Sequence, residues 1–547
     1  MQVSKLNISV LLEQIADEIP QTPAIIVPWQ KRQVTFLELH EESNRLASGL
    51  IRLGISKGDR TLLLVPFGVE FITLTFALFK TGAIPVLIDP GLGRKNMLQC
   101  IGQAQPRGLV AIPQAHAAKI IFPGHFKDVE ISITVGRRWF WGGKTLKQVR
   151  KLGSADLPLI EVNEGDPAAI LFTSGSTGPS KGVLYTHEMF FHQIEVLRSC
   201  FGIRQGEIDL PTFPLFGLFS ACMGMTCILP KMDFTRPAKV DPENIIKPIK
   251  EFSITNSFGS PALWETVSNY CIHQKIKLPS LKRILMAGAP IPGTLIQKFD
   301  PILEDSAEIH TPYGATEALP VSSIERKTIL SETWRKTRQG MGMCVGHPVP
   351  GIQLKIIKVT DDPVPLWDPG MEQPALEVGE VAVQGPWVTR KYFNDRNDAN
   401  ALAKIADGDH FWHRMGDLGW LDEQGRLWFC GRKSQRVITK NSVLYTIPCE
   451  AIFNVHPKVK RSALVGVGEK GQQEAVIVVE PENKELSRNS KEGKALIQDL
   501  LELGRPYPHT EEIRFFLFHP EFPVDIRHNA KIFREQLATW AEEEITE

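Results

Sequence analysis

ILFTSGSTGPSKGV, residues Ile170–Val183, joins an apolar run to a loop of small and hydroxylated residues that contains Lys181. The apolar run is typical of a buried strand. Glycine, serine and threonine let backbone N–H groups converge on an anion, and a lysine adds a positive charge for phosphate. The spacing between Gly178 and Lys181 differs from that of a Walker A loop. The segment therefore predicts a strand followed by a different phosphate-binding loop, rather than a solvated Ser/Gly linker.

Similar apolar runs recur between residues 60 and 320, as TLLLVPF, AIPVLID, GLVAIP, AAILFTS and KRILMAG. Runs of this length without polar alternation indicate buried parallel strands with helices on both faces. After residue 350, the runs IQLKIIKV, GEVAVQG and RLWFCG lie between turn-rich stretches and indicate a β-rich part. Past Gly431, KRSALVGVG and EAVIVVEP predict strands, and EGKALIQDLLELG predicts an amphipathic helix.

These patterns predict an α/β protein with two domains. The large N-terminal domain, residues 1–432, would consist of doubly wound β/α subdomains and a β-rich subdomain. Residues 433–547 would form a small, mobile α+β C-terminal domain. The boundary is placed where the charged stretch GRKSQR follows a strand. A length of 547 residues agrees with this composite organisation, since domains average roughly 150 residues.

The composition excludes several classes of protein. The chain has 62 lysine and arginine residues and 62 aspartate and glutamate residues, so its formal net charge of zero gives no general attraction to nucleic acid or to an anionic membrane. Hydrophobic residues at 43% and charged residues at 23% rule out a disordered chain. The most apolar segment, Thr61–Ile88, is interrupted by Pro66, Glu70 and Lys80, so we expect no transmembrane segment.

The cysteines and the N-terminus indicate a cytoplasmic protein. The eight cysteines are scattered, and no pair has the CxxC spacing of a zinc site. The N-terminus, MQVSKLNISVLLEQIADEIP, lacks the uninterrupted apolar stretch of a secretory signal, and its LLEQIADEI part is typical of an amphipathic helix. We therefore expect reduced thiols.

Four further motifs follow one another along the chain. Tyr313–Glu317 reads YGATE, Met415–Leu418 reads MGDL, Gly431 and Arg432 form a GR pair, and Lys531 lies near the C-terminus. Together with the glycine-rich loop they resemble the adenylate-forming superfamily, which includes acyl-CoA synthetases, luciferases and the adenylation domains of peptide synthetases. That family has YGxTE, TGDL, a GR pair before its hinge and a C-terminal catalytic lysine, so methionine replaces one threonine here. The resemblance covers essentially the whole chain.

The resemblance implies that an acid's carboxylate attacks the α-phosphate of ATP, giving an acyl-adenylate and pyrophosphate, with Mg²⁺ required. Lys531 would bridge the carboxylate and the α-phosphate, Arg432 would approach the ribose and phosphate, and Glu317 would help hold Mg²⁺. Tyr313 would stack on adenine, and Asp417 would accept hydrogen bonds from the ribose. The other residues implied in ATP binding are Thr173, Ser174, Gly175, Ser176, Thr177, Gly178, Lys181, Gly288, Ala289, Gly314 and Thr316.

Several departures from the family pattern concern the acceptor of the acyl group. The stretch Phe213–Phe219, FPLFGLF, lacks the histidine of the PLFH segment that gates the acyl tunnel in many acyl-CoA synthetases. The region Val437–Asn441 has asparagine where the family's pantetheine loop has glycine, and Ser434 takes a hinge position that is commonly Asp or Lys. Asn529 and Ala530 replace the usual SG before the catalytic lysine. These changes argue against thioester formation.

Three stretches, FPLFGLFSACMGMT, MDFTRPAKVDP and PVDIRHNAKI, resemble one branch of the superfamily, the β-lactone synthetases of olefin biosynthesis (OleC). This resemblance implies that a long-chain β-hydroxy acid is adenylated and that its own β-hydroxyl then displaces AMP, without CoA, to give a β-lactone. Phe213, Phe216 and Phe258 are predicted to lie beside the acyl tunnel. The resemblance also implies α/β-hydrolase-like and reductase-like partner proteins of the same pathway.

Two other functions stay open from the sequence. A long-chain fatty acyl-CoA synthetase with unusual loops would use the same ATP site and transfer the acyl group to CoA. A non-catalytic protein that binds a nucleotide or an acyl chain is a third interpretation. The presence of Lys531, Glu317 and Asp417 argues against it, because loss of catalysis usually removes such groups.

Overall fold

A computed structural model describes residues 7–157, 160–163, 165–173, 180–395, 398–524 and 532–546. Within these ranges the predicted α/β architecture is confirmed, with three large sheets before residue 433 and a smaller strand unit after it. The α-helices are Val10–Glu18, Phe36–Arg52, Val69–Thr81, Gly93–Ala104, Pro113–Ile121, Leu146–Leu152, His187–Phe201, Pro214–Cys222, Glu243–Glu251, Pro261–Gln274, Gly293–Gln297, Arg326–Thr328, Trp334–Thr337, Ala399–Ala403, Thr446–Phe453, Lys491–Gly504 and Arg534–Thr546.

The first sheet contains the strand that precedes the predicted phosphate loop. Its strands, in spatial order, are Tyr392–Phe393, Lys181–Thr186, Pro167–Thr173, Ile84–Ile88, Arg60–Leu64, Gly108–Ala111, Ile131–Thr134 and Lys144–Thr145. From Pro167–Thr173 onward, neighbouring strands are parallel. The strand Lys181–Thr186 pairs antiparallel with Pro167–Thr173 on one side and with Tyr392–Phe393 on the other. The apolar runs around residues 60, 84, 108 and 170 therefore form buried parallel strands, as predicted.

The second sheet is also mostly parallel. In spatial order its strands are Glu308–His310, Arg283–Met286, Asn256–Gly259, Ile208–Pro211, Thr226–Ile228, Pro23–Val27 and Arg32–Thr35. Only the last pair is antiparallel. The run KRILMAG supplies the buried parallel strand Arg283–Met286, next to the edge strand Glu308–His310, which confirms that prediction.

The third sheet confirms the β-rich part predicted after residue 350. Its main path runs Tyr313–Ala315, Ala318–Ser323, Met343–Pro348, Leu427–Arg432, His410–Leu421, Gly379–Gln384 and Gln353–Ile357, with Lys404–Asp407 paired to the side of His410–Leu421. All of these pairings are antiparallel.

The last part of the described chain forms a smaller α+β unit. Its strands are Val437–Ile438 with Val443–Leu444, and Val459–Val467 with Glu474–Pro481 and Phe515–Phe518. The predicted boundary after Arg432 coincides with the end of a strand of the third sheet, and it stays a prediction. All eight cysteines are free thiols. Of the helices in the described ranges, none has the length and apolarity to cross a bilayer.

A buried lysine lies between the helices Phe36–Arg52 and Val69–Thr81. Lys80 is 2% exposed, and its Nζ donates hydrogen bonds to Asn44 Oδ1 at 2.5 Å and to the His40 carbonyl oxygen at 3.0 Å. Burial lowers the pKa of Lys80 to about 7, partly opposed by Glu13. The charged lysine therefore costs more free energy in the folded protein than in the unfolded chain.

We expect Lys80 to make stability rise with pH between about pH 7 and pH 10. Below its folded pKa both states bind the proton, whereas above it only the unfolded chain does, so the free energy of unfolding increases by up to about 1.4 kcal/mol per pH unit. The melting temperature of the unchanged protein should therefore rise relative to that of Lys80→Met across this range. Lys127→Met, at an exposed lysine, should follow the unchanged protein. Parallel curves for all three proteins would contradict the lowered pKa.

Candidate active site

A cavity of about 2150 Å³ has walls formed by all three large sheets. Most of the site residues predicted from the sequence line it: Lys181, Phe213, Phe216, Phe258, Gly288, Ala289, Tyr313, Gly314, Thr316, Glu317, Asp417 and Arg432. Ser174, Gly175, Ser176, Thr177, Gly178 and Lys531 lie outside the described residues, and for Thr173 only the strand backbone is described.

The carboxyl ends of parallel strands form one wall of this cavity. The strands Ile208–Pro211 and Arg283–Met286 belong to the parallel part of the second sheet, and Phe213 and Gly288 follow them directly. Ligands of open parallel sheets bind at this edge, because the loops diverge there and leave a crevice. Gly288 has a φ of +103°, a conformation that glycine adopts without a steric penalty. The chain can therefore turn sharply beside the cavity.

Asp417, Arg432 and Tyr313 form a hydrogen-bonded cluster in the wall. Asp417 and Arg432 face each other across two antiparallel strands of the third sheet. Arg432 Nη1 lies 2.8 Å from Asp417 Oδ1, and the Tyr313 hydroxyl donates to Asp417 Oδ2 at 2.6 Å. Burial raises the pKa of Asp417, while the charge of Arg432 opposes that rise. The cluster combines a carboxylate that can accept from hydroxyls, a cation and an aromatic ring.

Glu317 lies in a second polar cluster, together with two lysines and a tyrosine. The Tyr392 hydroxyl donates to Glu317 Oε1 at 2.8 Å. The Nζ atoms of Lys181 and Lys404 lie 5.0 Å and 5.6 Å from the centroid of the Tyr392 ring. Cations at this distance are attracted by the ring's electron density. One carboxylate and two lysine side chains thus lie close to the strand Lys181–Thr186, which follows the phosphate-loop segment.

The sequence analysis missed Tyr392 and Lys404. Tyr392 pairs in register with Val183 across an antiparallel edge, and this pairing brings it close to Lys181. Burial lowers the pKa of Lys404 to about 7, although Glu317 acts in the opposite direction. Neither residue belongs to a recognisable local motif: Tyr392 reaches the site by pairing with the distant strand Lys181–Thr186, and Lys404 lies beside the Tyr392 ring. A lysine in the apolar segment ALAKIA was the one local signal of burial.

The three aromatic residues predicted to lie beside an acyl tunnel, Phe213, Phe216 and Phe258, lie close to one another in the cavity wall. The rings of Phe216 and Phe258 are stacked, with centroids 3.5 Å apart and planes at 10°. Phe213 lies 6.2 Å from Phe258 and 6.5 Å from Phe216 by the same measure, and its side chain is partly exposed. The structure thus places all three on one apolar part of the cavity wall.

Phe67 explains why the stretch FPLFGLF contains glycine at residue 217. A Cβ atom added to Gly217 would lie 2.5 Å from the Phe67 ring, well inside van der Waals contact. The Phe67 ring also packs edge-on against Phe234, with centroids 4.9 Å apart, and both rings line the cavity. Phe67 therefore fills the space that a larger side chain at residue 217 would need. The sequence analysis identified neither Phe67 nor Phe234.

The chain just beyond Lys531 is anchored at the cavity wall. Arg534 Nη2 lies 2.7 Å and 2.8 Å from the two carboxylate oxygens of Glu450, whose side chain is buried. Ile532, Arg534 and Glu450 all line the cavity. An arginine–carboxylate pair joined by two hydrogen bonds restricts the orientation of both side chains and also pairs their charges. The Glu450–Arg534 pair therefore fixes the chain three residues after Lys531 beside the site.

Ion pairs also join the part after Arg432 to the third sheet. Lys433 Nζ donates to Glu380 at 3.1 Å, and Glu380 is fully buried. Arg436 and Lys470 lie 2.8 Å and 2.7 Å from the same oxygen of Asp361. Arg436 and Lys470 lower the pKa of Asp361 to about 2, so this carboxylate is charged across the physiological range. These contacts hold the last part of the described chain over the cavity.

The donor set suits a magnesium ion shared with a phosphorylated ligand. Within the described ranges, no three His, Cys, Asp or Glu side chains are grouped so that they could hold a metal. Glu317 thus offers a single carboxylate. Mg²⁺ is commonly bound in this way, by one or two carboxylates with water and substrate phosphates completing its octahedral shell.

The chain is similar to known proteins over most of its length. The family described as AMP-binding enzyme matches residues 12–393. Olefin β-lactone synthetases of Xanthomonas campestris pv. campestris and of Stenotrophomonas maltophilia are each 43% identical to this chain over 98% of its length, and cover 97% and 98% of their own chains. A long-chain-fatty-acid–CoA ligase of Thermus thermophilus is 25% identical over 82% of this chain and 81% of its own.

Solved structures show the same fold at lower identity. The anthranilate CoA ligase AuaEII, in complex with anthranoyl-AMP, has a TM-score of 0.79 at 19% identity and covers 100% of this chain and 99% of its own. The o-succinylbenzoate coenzyme A synthetase MenE of Bacillus subtilis, in complex with ATP and magnesium ion, has a TM-score of 0.74 at 22% identity and covers 96% and 98%.

Proposed function

The chain belongs to the AMP-binding enzyme family, and we propose that it activates a long-chain β-hydroxy acid with ATP and closes it to a β-lactone. In the first step, a carboxylate oxygen of the acid attacks the α-phosphorus of ATP, and pyrophosphate leaves. In the second step, the β-hydroxyl oxygen loses its proton and bonds to the acyl carbon, and the bond from that carbon to AMP breaks. The 43% identity to two olefin β-lactone synthetases along nearly the whole chain carries this proposal.

ATP would bind across the two polar clusters. Asp417 would accept hydrogen bonds from the ribose hydroxyls, and Arg432, 2.8 Å from it, would meet the ribose and the α-phosphate. Tyr313 would stack against the adenine, and Gly288, Ala289 and Gly314 would line the same pocket. Lys181, Thr316 and the loop residues 173–178 would hold the β- and γ-phosphates. Asp417 supports the ribose role because each oxygen of its carboxylate can accept a further hydrogen bond besides its contacts with Arg432 and Tyr313.

Mg²⁺ would bind to Glu317 and to phosphate oxygens. When bound, the ion would neutralise charge on the triphosphate as pyrophosphate departs. The hydrogen bond from the Tyr392 hydroxyl orients the Glu317 carboxylate. Lys181 and Lys404 add positive charge near the Tyr392 ring. Lys531 would act at the other end of the reacting group, between the carboxylate of the acid and the α-phosphate.

The apolar part of the cavity would hold the acyl chain. Phe213, Phe216 and Phe258 line the same cavity as Tyr313 and Asp417, and Phe67 and Phe234 line it as well. An acid bound with its carboxylate toward Lys531 would pass these rings with its chain. Exclusion of water by such rings matters here, because an acyl-adenylate exposed to water hydrolyses.

The acceptor is proposed to be the substrate's own hydroxyl. Gly217 takes the place of the PLFH histidine, and the Phe67 ring occupies the space beside it. Asn441 and Ser434 alter the pantetheine loop and the hinge. An internal hydroxyl needs no acceptor channel, and its proximity to the carbonyl replaces a bimolecular step with a unimolecular one. The strain of the four-membered ring is offset by release of AMP.

The deciding experiment supplies the protein with ATP, Mg²⁺ and a racemic long-chain β-hydroxy acid, with and without CoA. We expect AMP and a β-lactone in equal amounts when CoA is absent, and no increase of either when it is added. The matched substrate is the same acid with its β-hydroxyl methylated, which should form the adenylate but no lactone. Acyl-CoA as the product, formed only with CoA, would establish the fatty acyl-CoA ligase instead. No AMP from any acid would favour a non-catalytic binding protein.

Two further features complete the proposal. Catalysis would take place in the cytoplasm, where the eight free thiols stay reduced. α/β-Hydrolase-like and reductase-like proteins of the same pathway would be the partners of this chain in a complex.

A further inference from the structure

Three large apolar side chains are exposed on the first sheet's side of the molecule. They are Trp139 and Phe140, which are 59% and 80% exposed, and Ile120, which is 48% exposed. We call this set the aromatic patch. Scattered apolar side chains are common on protein surfaces, but two adjacent exposed aromatic rings beside an exposed isoleucine mark an interaction site.

The loop that presents the aromatic patch is firmly anchored. It joins the strands Ile131–Thr134 and Lys144–Thr145, and Trp141 within it stacks on His116, with centroids 5.5 Å apart and planes at 7°. The Trp141 Nε1 donates to Thr134 Oγ1 at 3.0 Å. Trp141 thus holds the loop against the protein while its two aromatic neighbours face outward.

Anchoring also places the two halves of the aromatic patch next to each other. His116 lies in the helix Pro113–Ile121, and residues four apart in a helix share a face, so Ile120 lies on the side of the helix that Trp141 contacts. Trp139 in turn lies 5.4 Å from Trp141 between ring centroids. Ile120 and the aromatic rings therefore belong to one surface, whereas Ile121, three residues after Ala118, shares the helix face that lines the cavity.

Positive charge surrounds this surface, although the whole chain is neutral. Residues 113–147 contain six lysine and arginine residues and only two acidic residues. Arg137 and Arg138, which directly precede Trp139 in the chain, and Lys144, in the strand that ends the loop, are all exposed. One of the two acidic residues, Glu130, is paired with Arg107 and so contributes little free negative charge.

The same helix connects the aromatic patch to the proposed acyl cavity. Gln114, Ala115 and Ala118 on the helix Pro113–Ile121 line the cavity, as does Val135 at the start of the anchored loop. The outer end of this helix carries Ile120 and Ile121. One helix therefore separates the apolar cavity from the aromatic patch by about its own width, roughly 10 Å.

We propose that the aromatic patch docks the protein on an anionic lipid bilayer. Tryptophan and phenylalanine insert at the boundary between headgroups and acyl chains, and arginine and lysine beside them bind anionic headgroups. The local excess of positive charge favours such a surface over a neutral one. Docking there would bring the cavity close to the hydrocarbon in which long-chain substrates and products dissolve. The inference concerns binding alone and does not require β-lactone formation.

The test is sedimentation of the full chain with vesicles, in the absence of ATP and acid. We expect binding to vesicles of phosphatidylcholine mixed with phosphatidylglycerol, weaker binding to phosphatidylcholine alone, and weakening by salt. The double variant Trp139→Ser/Phe140→Ser should bind the mixed vesicles at least about tenfold more weakly. Leu366→Ser, at a leucine that is 68% exposed in another part of the molecule, should bind like the unchanged protein.

A second pair of variants tests the charge. Arg137→Glu/Arg138→Glu should lose the preference for phosphatidylglycerol, whereas Arg488→Glu, at an exposed arginine distant in sequence, should keep it. Failure of the unchanged protein to sediment with any vesicle would overturn the proposal. So would equal binding by the Trp139/Phe140 double variant. If the chain self-associates in solution and this double variant is monomeric, the aromatic patch is a protein interface and the lipid proposal is wrong.

Discussion

Lys531→Ala is expected to lower the rate of acid-dependent pyrophosphate release by about 10²–10³-fold, the cost of removing one preorganised group that stabilises a transition state. The acid's carboxylate and the triphosphate are both anions, and their approach needs a positive charge between them. Arg534, three residues later in the chain, is held by Glu450 at the cavity wall. Release of pyrophosphate with saturating β-hydroxy acid measures the effect.

The matched control is Lys491→Ala, which removes an exposed lysine from the same part of the chain. It should leave pyrophosphate release unchanged. Full pyrophosphate release by Lys531→Ala would show that the lysine does not drive adenylation. A loss that also appeared in Lys491→Ala would instead indicate a general effect of positive charge on binding of the anionic acid.

The second large effect is expected at Glu317. Glu317→Gln keeps the shape of the side chain and removes the charge that would bind Mg²⁺. We expect AMP formation to fall by about 10²-fold, and the Mg²⁺ concentration for half-maximal rate to rise by at least about tenfold. Titration of the rate with Mg²⁺ at fixed ATP separates these two effects, since a change in protein stability alone would not shift the Mg²⁺ requirement.

Tyr392→Phe is the matched variant for this prediction. It removes the hydroxyl that donates to Glu317 at 2.8 Å but keeps the carboxylate and the aromatic ring near the two lysines. Loss of a hydrogen bond that orients a metal ligand typically costs about 10-fold to 100-fold, so a smaller shift than in Glu317→Gln is expected. An unchanged Mg²⁺ requirement in Glu317→Gln would refute a metal-binding role for this carboxylate.

Much of the fold could be predicted because each parallel strand leaves a local signal. A run such as AAILFTS is apolar throughout since both faces of its sheet are covered, and this pattern is visible without any partner. The same holds for the β-rich part, where turn residues separate strand-like runs. The site residues on the cavity wall were also accessible from the sequence, because they lie in short motifs at the ends of such strands.

The missed residues depend on contacts between distant parts of the chain. Tyr392 reaches Lys181 only through an antiparallel edge pairing, and Lys404 is buried by the strands that pack over it. Phe67 is related to Gly217 by packing alone, which leaves no pattern in either segment. In the same way, the Glu450–Arg534 pair joins two segments that look like ordinary charged surface in the sequence.

The close approach of Phe67 to residue 217 makes the two positions epistatic. A histidine introduced at residue 217 would clash with the Phe67 ring, because an added Cβ atom alone would lie 2.5 Å from it. A histidine at this position therefore needs a smaller side chain at residue 67 as well. A difference in acceptor chemistry within one fold can be preserved by packing in this way, without any change in the residues that bind ATP.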